Sequence, residues 1–406
     1  MCAGSERPLR LLVVTGRYPP VFSGASAQQH ELLNHLGTRR VKATVLTLRV
    51  GELSKRETID GVSVLRRGSG KTNSLDRFMF AVSVFLYIIT RRRQFDAIHA
   101  FTAGWAAFLL PVAALIAGVR CVYTSSLQGS DDAAAVAAQG MGWLKVRLLR
   151  MFDAVVIYTP HQARSFVEAG FNSSAMHAIT CGVDDGFYTP VVDAERRRTL
   201  RNAAGRDDDG PVVLFIGTVT ARKGVDLLVE SFRLLLSSDP AAVLVLMGPV
   251  NRSEDPTLDE LFVETLRERS TEPELANHIV FLGRVDSPEE KRAIIRASDV
   301  FALFSQREGL GIVILEAMAC GVPAVLTPIP GVFDFIITNG RDGRIAGTRD
   351  PKELAKLLHD VISSESRSNS MGQEARRTIE QRFSTEQVAQ NHLDLYWALA
   401  ARGRGS

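Results

Sequence analysis

Cysteine is scarce in this chain. The four present in 406 residues, Cys2, Cys121, Cys181 and Cys320, form no Cys-x-x-Cys pair, which excludes a zinc ribbon or a dithiol motif. Their wide spacing and apolar neighbours predict reduced, mostly buried thiols, as expected of a cytoplasmic protein. An excess of one charge is also lacking: the net charge is +3, too small to imply nucleic-acid binding. No apolar run reaches the roughly 20 residues that a bilayer-crossing helix needs. The first run, residues 9–14, leads into Gly-Arg-Tyr-Pro-Pro rather than the cleavage site of a secretory leader. Lysine is rare, eight against forty arginines. A bias in genome composition explains this skew better than phosphate binding does.

What remains is the composition of a globular protein, 46% hydrophobic and 23% charged. The length exceeds what one hydrophobic core usually serves, so two domains are expected. Residues 9–15 have the length and β-branching of a buried strand, 16–24 form a Gly/Pro/Ser loop, 27–36 read as a helix and 41–48 as the next strand. Strand, loop, helix, strand is a βαβ unit and predicts a parallel sheet. The rhythm continues through strands at 97–100, 120–124, 154–158 and 177–180. The charged stretch 193–201 and the polar, Gly/Asp-rich stretch 202–210 read as an interdomain linker. After Pro211 the rhythm restarts, with strands at 212–216, 243–247, 279–282, 300–304 and 324–326. The expected organisation is an N-terminal domain over 1–205 and a second over 206–383. A C-terminal helix over 384–406 is expected to pack back toward the first. In doubly wound sheets, ligands sit at the carboxyl ends of the strands.

Three loops follow predicted strands and carry residues suited to chemistry. In Ser305-Gln-Arg-Glu-Gly-Leu-Gly311, Gly309, Leu310 and Gly311 open a helix whose N-terminal amides carry partial positive charge and suit a phosphate. Glu308 precedes that helix and Glu316 lies within it. Eight residues at helical rise span roughly 12 Å, about the length of a diphosphate between two sugars. A carboxylate inside the apolar run 312–319 is costly to bury without a partner, and a ribose diol would supply one. In Gly217-Thr-Val-Thr-Ala-Arg-Lys-Gly224, Arg222 and Lys223 stand just ahead of a helix, where they can meet a diphosphate; a solvated basic turn is the plainer alternative. In Tyr18-Pro-Pro-Val-Phe-Ser-Gly24, Gly24 allows close backbone approach before the next helix.

Together these segments resemble glycosyltransferases of family 4 along nearly the whole chain. Glu308…Glu316, followed by Ala-Met-Ala-Cys-Gly-Val-Pro, matches the family's E-x7-E motif. Arg222-Lys-Gly-Val-Asp-Leu-Leu resembles its diphosphate loop, and Cys181-Gly-Val-Asp-Asp-Gly-Phe-Tyr-Thr-Pro190 resembles the stretch before its linker. Asp96-Ala-Ile-His-Ala also fits. The resemblance implies an α/β GT-B fold, two Rossmann-like doubly wound domains facing across a cleft, with the acceptor on the N-terminal side and the donor on the C-terminal side. It implies a retaining hexosyltransferase that uses a UDP- or GDP-sugar, with no required cofactor or metal. By this analogy Glu308 contacts the transferred sugar, Glu316 the ribose, Lys223 the diphosphate, and Gly309, Leu310 and Gly311 add backbone groups. The chain departs from the family pattern at Thr218, where many members have arginine, at Ser23, where they have a second glycine, and at Gln128, near the place of a histidine. Arg222 then supplies the charge missing at Thr218. Gln128 can hydrogen-bond a hydroxyl but cannot act as a base, and His161 lies nearby in sequence on the acceptor side. No general base is assigned.

Two further readings stay open. A nucleotide-sugar epimerase or hydrolase uses the same fold but needs an acid/base set at the sugar ring. An inactive nucleotide-sugar-binding module would tolerate the three departures. The acceptor, a glycan or a lipid-linked one, is suggested by two basic, apolar stretches, 78–93 and 143–152. Each reads either as a buried helix with solvated arginines or as an interfacial helix on an anionic membrane. The second reading would place a cytoplasmic protein peripherally on the inner face of the cell membrane, serving envelope polysaccharide or glycolipid synthesis.

Overall fold

The computed structural model describes residues 7–21, 24–101, 104–125, 132–191, 193–251 and 258–403. The chain divides into two compact units. One runs to Gly182 and resumes at Thr385, and the other is Val183–Ser384.

The first unit is built on eight strands: β1 (Leu9–Thr15), β2 (Val41–Leu48), β3 (Arg56–Ile59), β4 (Val62–Arg67), β5 (Ala97–Phe101), β6 (Arg120–Thr124), β7 (Ala154–Ile157) and β8 (Met176–Ala178). Their order is β3-β4-β2-β1-β5-β6-β7-β8. All pairs are parallel except β3 with β4, a hairpin at the sheet edge. Successive side chains of a strand point to opposite faces, so β1 feeds two cores. Leu12 and Val14 join Phe80, Val84, Phe108 and Phe166 on one face, while Leu9, Leu11 and Val13 join Leu33, Leu36 and Leu399 on the other.

The second face is closed by the helices Gly24–Thr38 and Thr385–Gly403. The latter delivers Tyr396 to a histidine on β5. His99 Nδ1 shares a hydrogen bond with the Tyr396 hydroxyl at 2.7 Å, and its Nε2 shares one with Thr124 Oγ1 at 2.6 Å. Burial holds the His99 imidazole well below its usual range, so the ring is neutral and both nitrogens are matched to hydroxyls.

The second unit has six parallel strands: β9 (Val212–Ile216), β10 (Val243–Met247), β11 (Ile279–Gly283), β12 (Val300–Leu303), β13 (Ala324–Leu326) and β14 (Gly343–Ile345). Their order is β11-β10-β9-β12-β13-β14. From β9 the chain steps outward through β10 and β11, then returns to lay β12 on the other side of β9. That reversal leaves a crevice at the carboxyl ends of β9 and β12.

The expected linker at 193–210 is instead part of this unit, and the division falls at Gly182/Val183 rather than at 205/206. Asp193 caps the helix Ala194–Ala203 by accepting the Arg196 N–H. Arg197 pairs with Asp299 at 2.7 Å. Arg201, almost fully buried, donates to the carbonyls of Gly210 and Ala241 at 2.5 and 3.1 Å. These arginines satisfy backbone carbonyls and a carboxylate inside the fold, so a stretch of linker-like composition is packed.

Tyr396→Phe leaves a fully buried imidazole nitrogen without its partner. It is expected to cost about 1–3 kcal/mol of unfolding free energy, measured by urea denaturation. A loss near zero would show that the terminal helix is not held by this bond.

Candidate functional site

The site in the second unit follows from how two loops are pressed together. β9 is followed by Gly217, whose N–H donates to the Met247 carbonyl at 2.9 Å. The chain then turns through Thr218, Val219 and Thr220 into a short 3₁₀ segment, Ala221–Lys223, and reaches Gly224 at φ +67°. A Cβ at Gly224 would stand 2.0 Å from the Phe304 carbonyl oxygen, so only glycine lets this turn touch the end of β12. Backbone and side-chain bonds extend the contact. The Gln306 N–H donates to the Arg222 carbonyl at 2.9 Å, and Arg222 Nη1 donates to the Arg307 carbonyl at 3.2 Å. The Ser305 carbonyl is fixed in turn by Thr327 Oγ1 and Arg349 Nη1, each at 2.8 Å.

This docking brings Lys223 to Glu308. Nζ lies 2.6 Å from Glu308 Oε1, the Ser305 hydroxyl donates to the same oxygen at 2.6 Å, and Arg222 Nη1 is 4.0 Å away. Glu308 is only 6% exposed. Burying a carboxylate at this depth is tolerable because a cation and a hydroxyl share one of its oxygens. Arg222 is exposed beside it.

Gly309 and Leu310 are buried, and Gly311, at φ +88°, begins the helix Ile312–Ala319. No side chain caps that helix start. Its first amides are therefore available to an anion at the strand-end crevice. Five residues into the helix, Glu316 is buried among Ile314, Leu315 and Ala317. Its carboxylate has protein partners: the Tyr188 hydroxyl donates to Oε1 at 3.1 Å, and Lys291 Nζ forms an ion pair with Oε2 at 2.5 Å. Thr218 lies on the same set of loops, at the carboxyl end of β9.

Thus Thr218, Arg222, Lys223, Glu308, Gly309, Leu310, Gly311 and Glu316 converge on one unit. Gly24 and His161 belong to the other unit, also at the carboxyl edge of its sheet. Gly24 is the first residue of a helix, with open space around it. His161 is the second residue of the helix Pro160–Glu168, whose start is closed by a reciprocal Thr159–Gln162 capping box. Gln128 and Ser23 lie outside the described residues. Ser305, Tyr188 and Lys291 are functional candidates that the sequence reading did not name. Tyr188 sat inside the quoted 181–190 segment, and Lys291 is one of only eight lysines. Among the described residues, no group of three or more His, Cys, Asp or Glu could hold a metal ion. Among the same residues, no helix is long and apolar enough to cross a membrane.

A parallel α/β unit with an uncapped helix at its switch point, bracketed by two buried glutamates and a lysine, defines a doubly wound class of domain suited to an anion at its strand ends. The family follows from comparison with known proteins. Residues 196–378 match the profile "Glycosyl transferases group 1", and residues 23–182 match "Glycosyl transferase 4-like domain". The chain belongs to family 4 of the glycosyltransferases and has the GT-B fold. It is 33% identical over 253 residues to mannosylfructose-phosphate synthase of Agrobacterium fabrum, an alignment covering 61% of this chain and 53% of that protein. It is 29% identical over 227 residues to the GDP-mannose-dependent alpha-(1-6)-phosphatidylinositol monomannoside mannosyltransferase of Mycolicibacterium smegmatis, covering 54% and 56%. The chain thus spans about half the length of these curated relatives. The crystal structure of Anabaena HepE in complex with UDP and glucose superposes with a TM-score of 0.77 at 21% identity, over 96% of this chain and 100% of that one.

The Glu316 clamp is directly testable. Lys291→Met leaves a mostly buried carboxylate with a single hydroxyl donor and is expected to cost about 1–3 kcal/mol in urea denaturation. Adding Glu316→Gln should recover most of that loss. A double variant no more stable than Lys291→Met would show that the two side chains are not coupled.

Proposed function

We infer that this chain is a retaining glycosyltransferase that moves a hexose from a UDP- or GDP-sugar to a glycan or lipid-linked acceptor, in cell-envelope polysaccharide or glycolipid synthesis. One observation carries the donor side: an uncapped helix start with a buried glutamate at each end and a lysine beside the first. The second unit takes the donor and the first takes the acceptor. The diphosphate lies on the amides of Gly309 to Gly311 and the first helical turn. Glu308 accepts hydrogen bonds from sugar hydroxyls, and Glu316, held by Tyr188 and Lys291, accepts them from the ribose.

In the reaction the bond from the anomeric carbon to the diphosphate oxygen breaks, and a bond to the acceptor oxygen forms on the same face. The acceptor proton passes to the leaving diphosphate, so no separate protein base is needed. Negative charge grows on the diphosphate as the bond breaks. Lys223, paired with Glu308, and Arg222 then meet that charge. They stabilise the transition state more than the bound donor. The GDP-mannose in the name of the Mycolicibacterium relative, and the UDP and glucose bound in the HepE crystal, support the two donor bases.

Lys223→Ala is expected to lower turnover by about 100-fold or more while donor affinity falls much less, in steady-state kinetics read beside calorimetry. Weakened donor affinity with unchanged turnover would show that the cation acts on the ground state. Epimer formed from donor alone would replace the transferase reading with an isomerase.

Glu316→Ala is expected to weaken UDP- or GDP-sugar binding by roughly 10- to 100-fold, again by calorimetry. Unchanged affinity would remove the ribose role.

A further inference from the structure

One face of the first unit exposes more apolar surface than solvent contact explains. The helices Ser74–Thr90, Trp105–Ala117 and Gly142–Leu149 pack side by side over the same core. Ser74–Thr90 buries Phe80, Ala81, Val84 and Ile88, yet it carries a second apolar stripe. Leu75, Phe78, Met79 and Leu86 recur at helical spacing, and each is more than half exposed. A helix apolar on both sides is normally covered on both. The helix Trp105–Ala117 has no charged residue at all and exposes Trp105, Leu115 and Ile116. Met141 and Trp143, the latter 74% exposed, stand at the start of the third helix.

The sheet topology places these side chains. Each of the three helices returns the chain from the carboxyl edge of the sheet to its amino edge, so their first turns lie at the carboxyl edge. Leu75, Phe78, Met79, Trp105, Met141 and Trp143 are all in or next to those first turns. Lys145 ties two of the helices together, with its ammonium 5.7 Å from the ring centres of Trp105 and Phe108.

The charges around this apolar edge are of one sign. Segments 68–79, 104–108 and 132–147, which make this edge, hold four lysines and arginines, Lys71, Arg77, Lys145 and Arg147, against two acids, Asp76 and Asp132. Both acids are buried and occupied. Asp76 accepts N–H groups from Ser69, Gly70 and Thr72, and Asp132 caps Ala135. The face therefore presents apolar side chains, two tryptophans and a basic rim including Lys71, Arg77 and Arg147, with no exposed carboxylate in those segments. A second copy meeting this face would set basic rim against basic rim. A surface of anionic headgroups over hydrocarbon complements it in both respects.

We propose that these three helix starts form a docking face for an anionic lipid bilayer, with Phe78, Met79 and Trp143 entering the headgroup–acyl boundary and Lys71, Arg77 and Arg147 meeting lipid phosphates. This rests on the acceptor side of the reading above and extends it: the carboxyl edge of the unit assigned to the acceptor is the edge set against the membrane.

The test is co-sedimentation of the full chain with vesicles of phosphatidylcholine alone and of phosphatidylcholine mixed with an equal amount of phosphatidylglycerol. Binding is expected to the second and not the first, and to weaken with added salt. The double variant F78E/W143E is expected to lose binding about tenfold or more with unchanged melting temperature and donor affinity. Leu261→Glu, on an equally exposed leucine of the other unit, should leave binding intact. No binding to the mixed vesicles, full binding by F78E/W143E, or a dimer in light scattering that F78E/W143E splits would each overturn the proposal. Donor binding by calorimetry is independent of all these outcomes, so the docking face can fail while the transferase reading stands.

Discussion

The close approach of Gly224 to the Phe304 carbonyl is the constraint on which the donor-side geometry depends. Two loops leave neighbouring strands, and without contact they would be separate turns with separate charges. Because position 224 has no side chain, the turn Ala221–Lys223 settles on the backbone that follows β12. Gln306 and Arg222 then join the two loops, and Lys223 is delivered to Glu308. A lysine and a glutamate 85 residues apart become one neutral pair at the foot of an uncapped helix. Neither charge would be stable at that depth alone.

The same economy recurs at Glu316. Its carboxylate sits on the apolar side of the helix and is held from outside the motif, by Tyr188 from the entry to the unit and by Lys291 from the helix Pro288–Arg296. Two of the eight lysines are thus spent on the two glutamates of the E-x7-E motif. In a chain that otherwise uses arginine, the compact ammonium fits where a planar guanidinium would need more room.

How much of this was legible in the sequence follows from range. The βα rhythm could be read because each strand is a local apolar run and each helix a local periodicity. Glu308, Glu316, Arg222 and Lys223 could be read because each lies in a short motif at a strand end. Lys291 and Tyr188 could not be assigned a partner, since only the packing of distant elements brings them to Glu316. The hairpin of β3 and β4 leaves little signal in the sequence because Arg56–Ile59 is a short, charged edge strand without an apolar face. The helix Ala194–Ala203 reads as a linker in sequence because composition does not reveal that an arginine-rich surface can turn inward onto carbonyls.

The bond between His99 and Tyr396 has a consequence for how the protein comes into being. The sheet of the first unit is complete once residue 178 has been made, but its central histidine must wait for a hydroxyl more than two hundred residues downstream. During synthesis the whole of the second unit emerges before the first can be closed. The part of the molecule made first is therefore the last to be finished, and until then one face of its core stands open to whatever first meets the nascent chain.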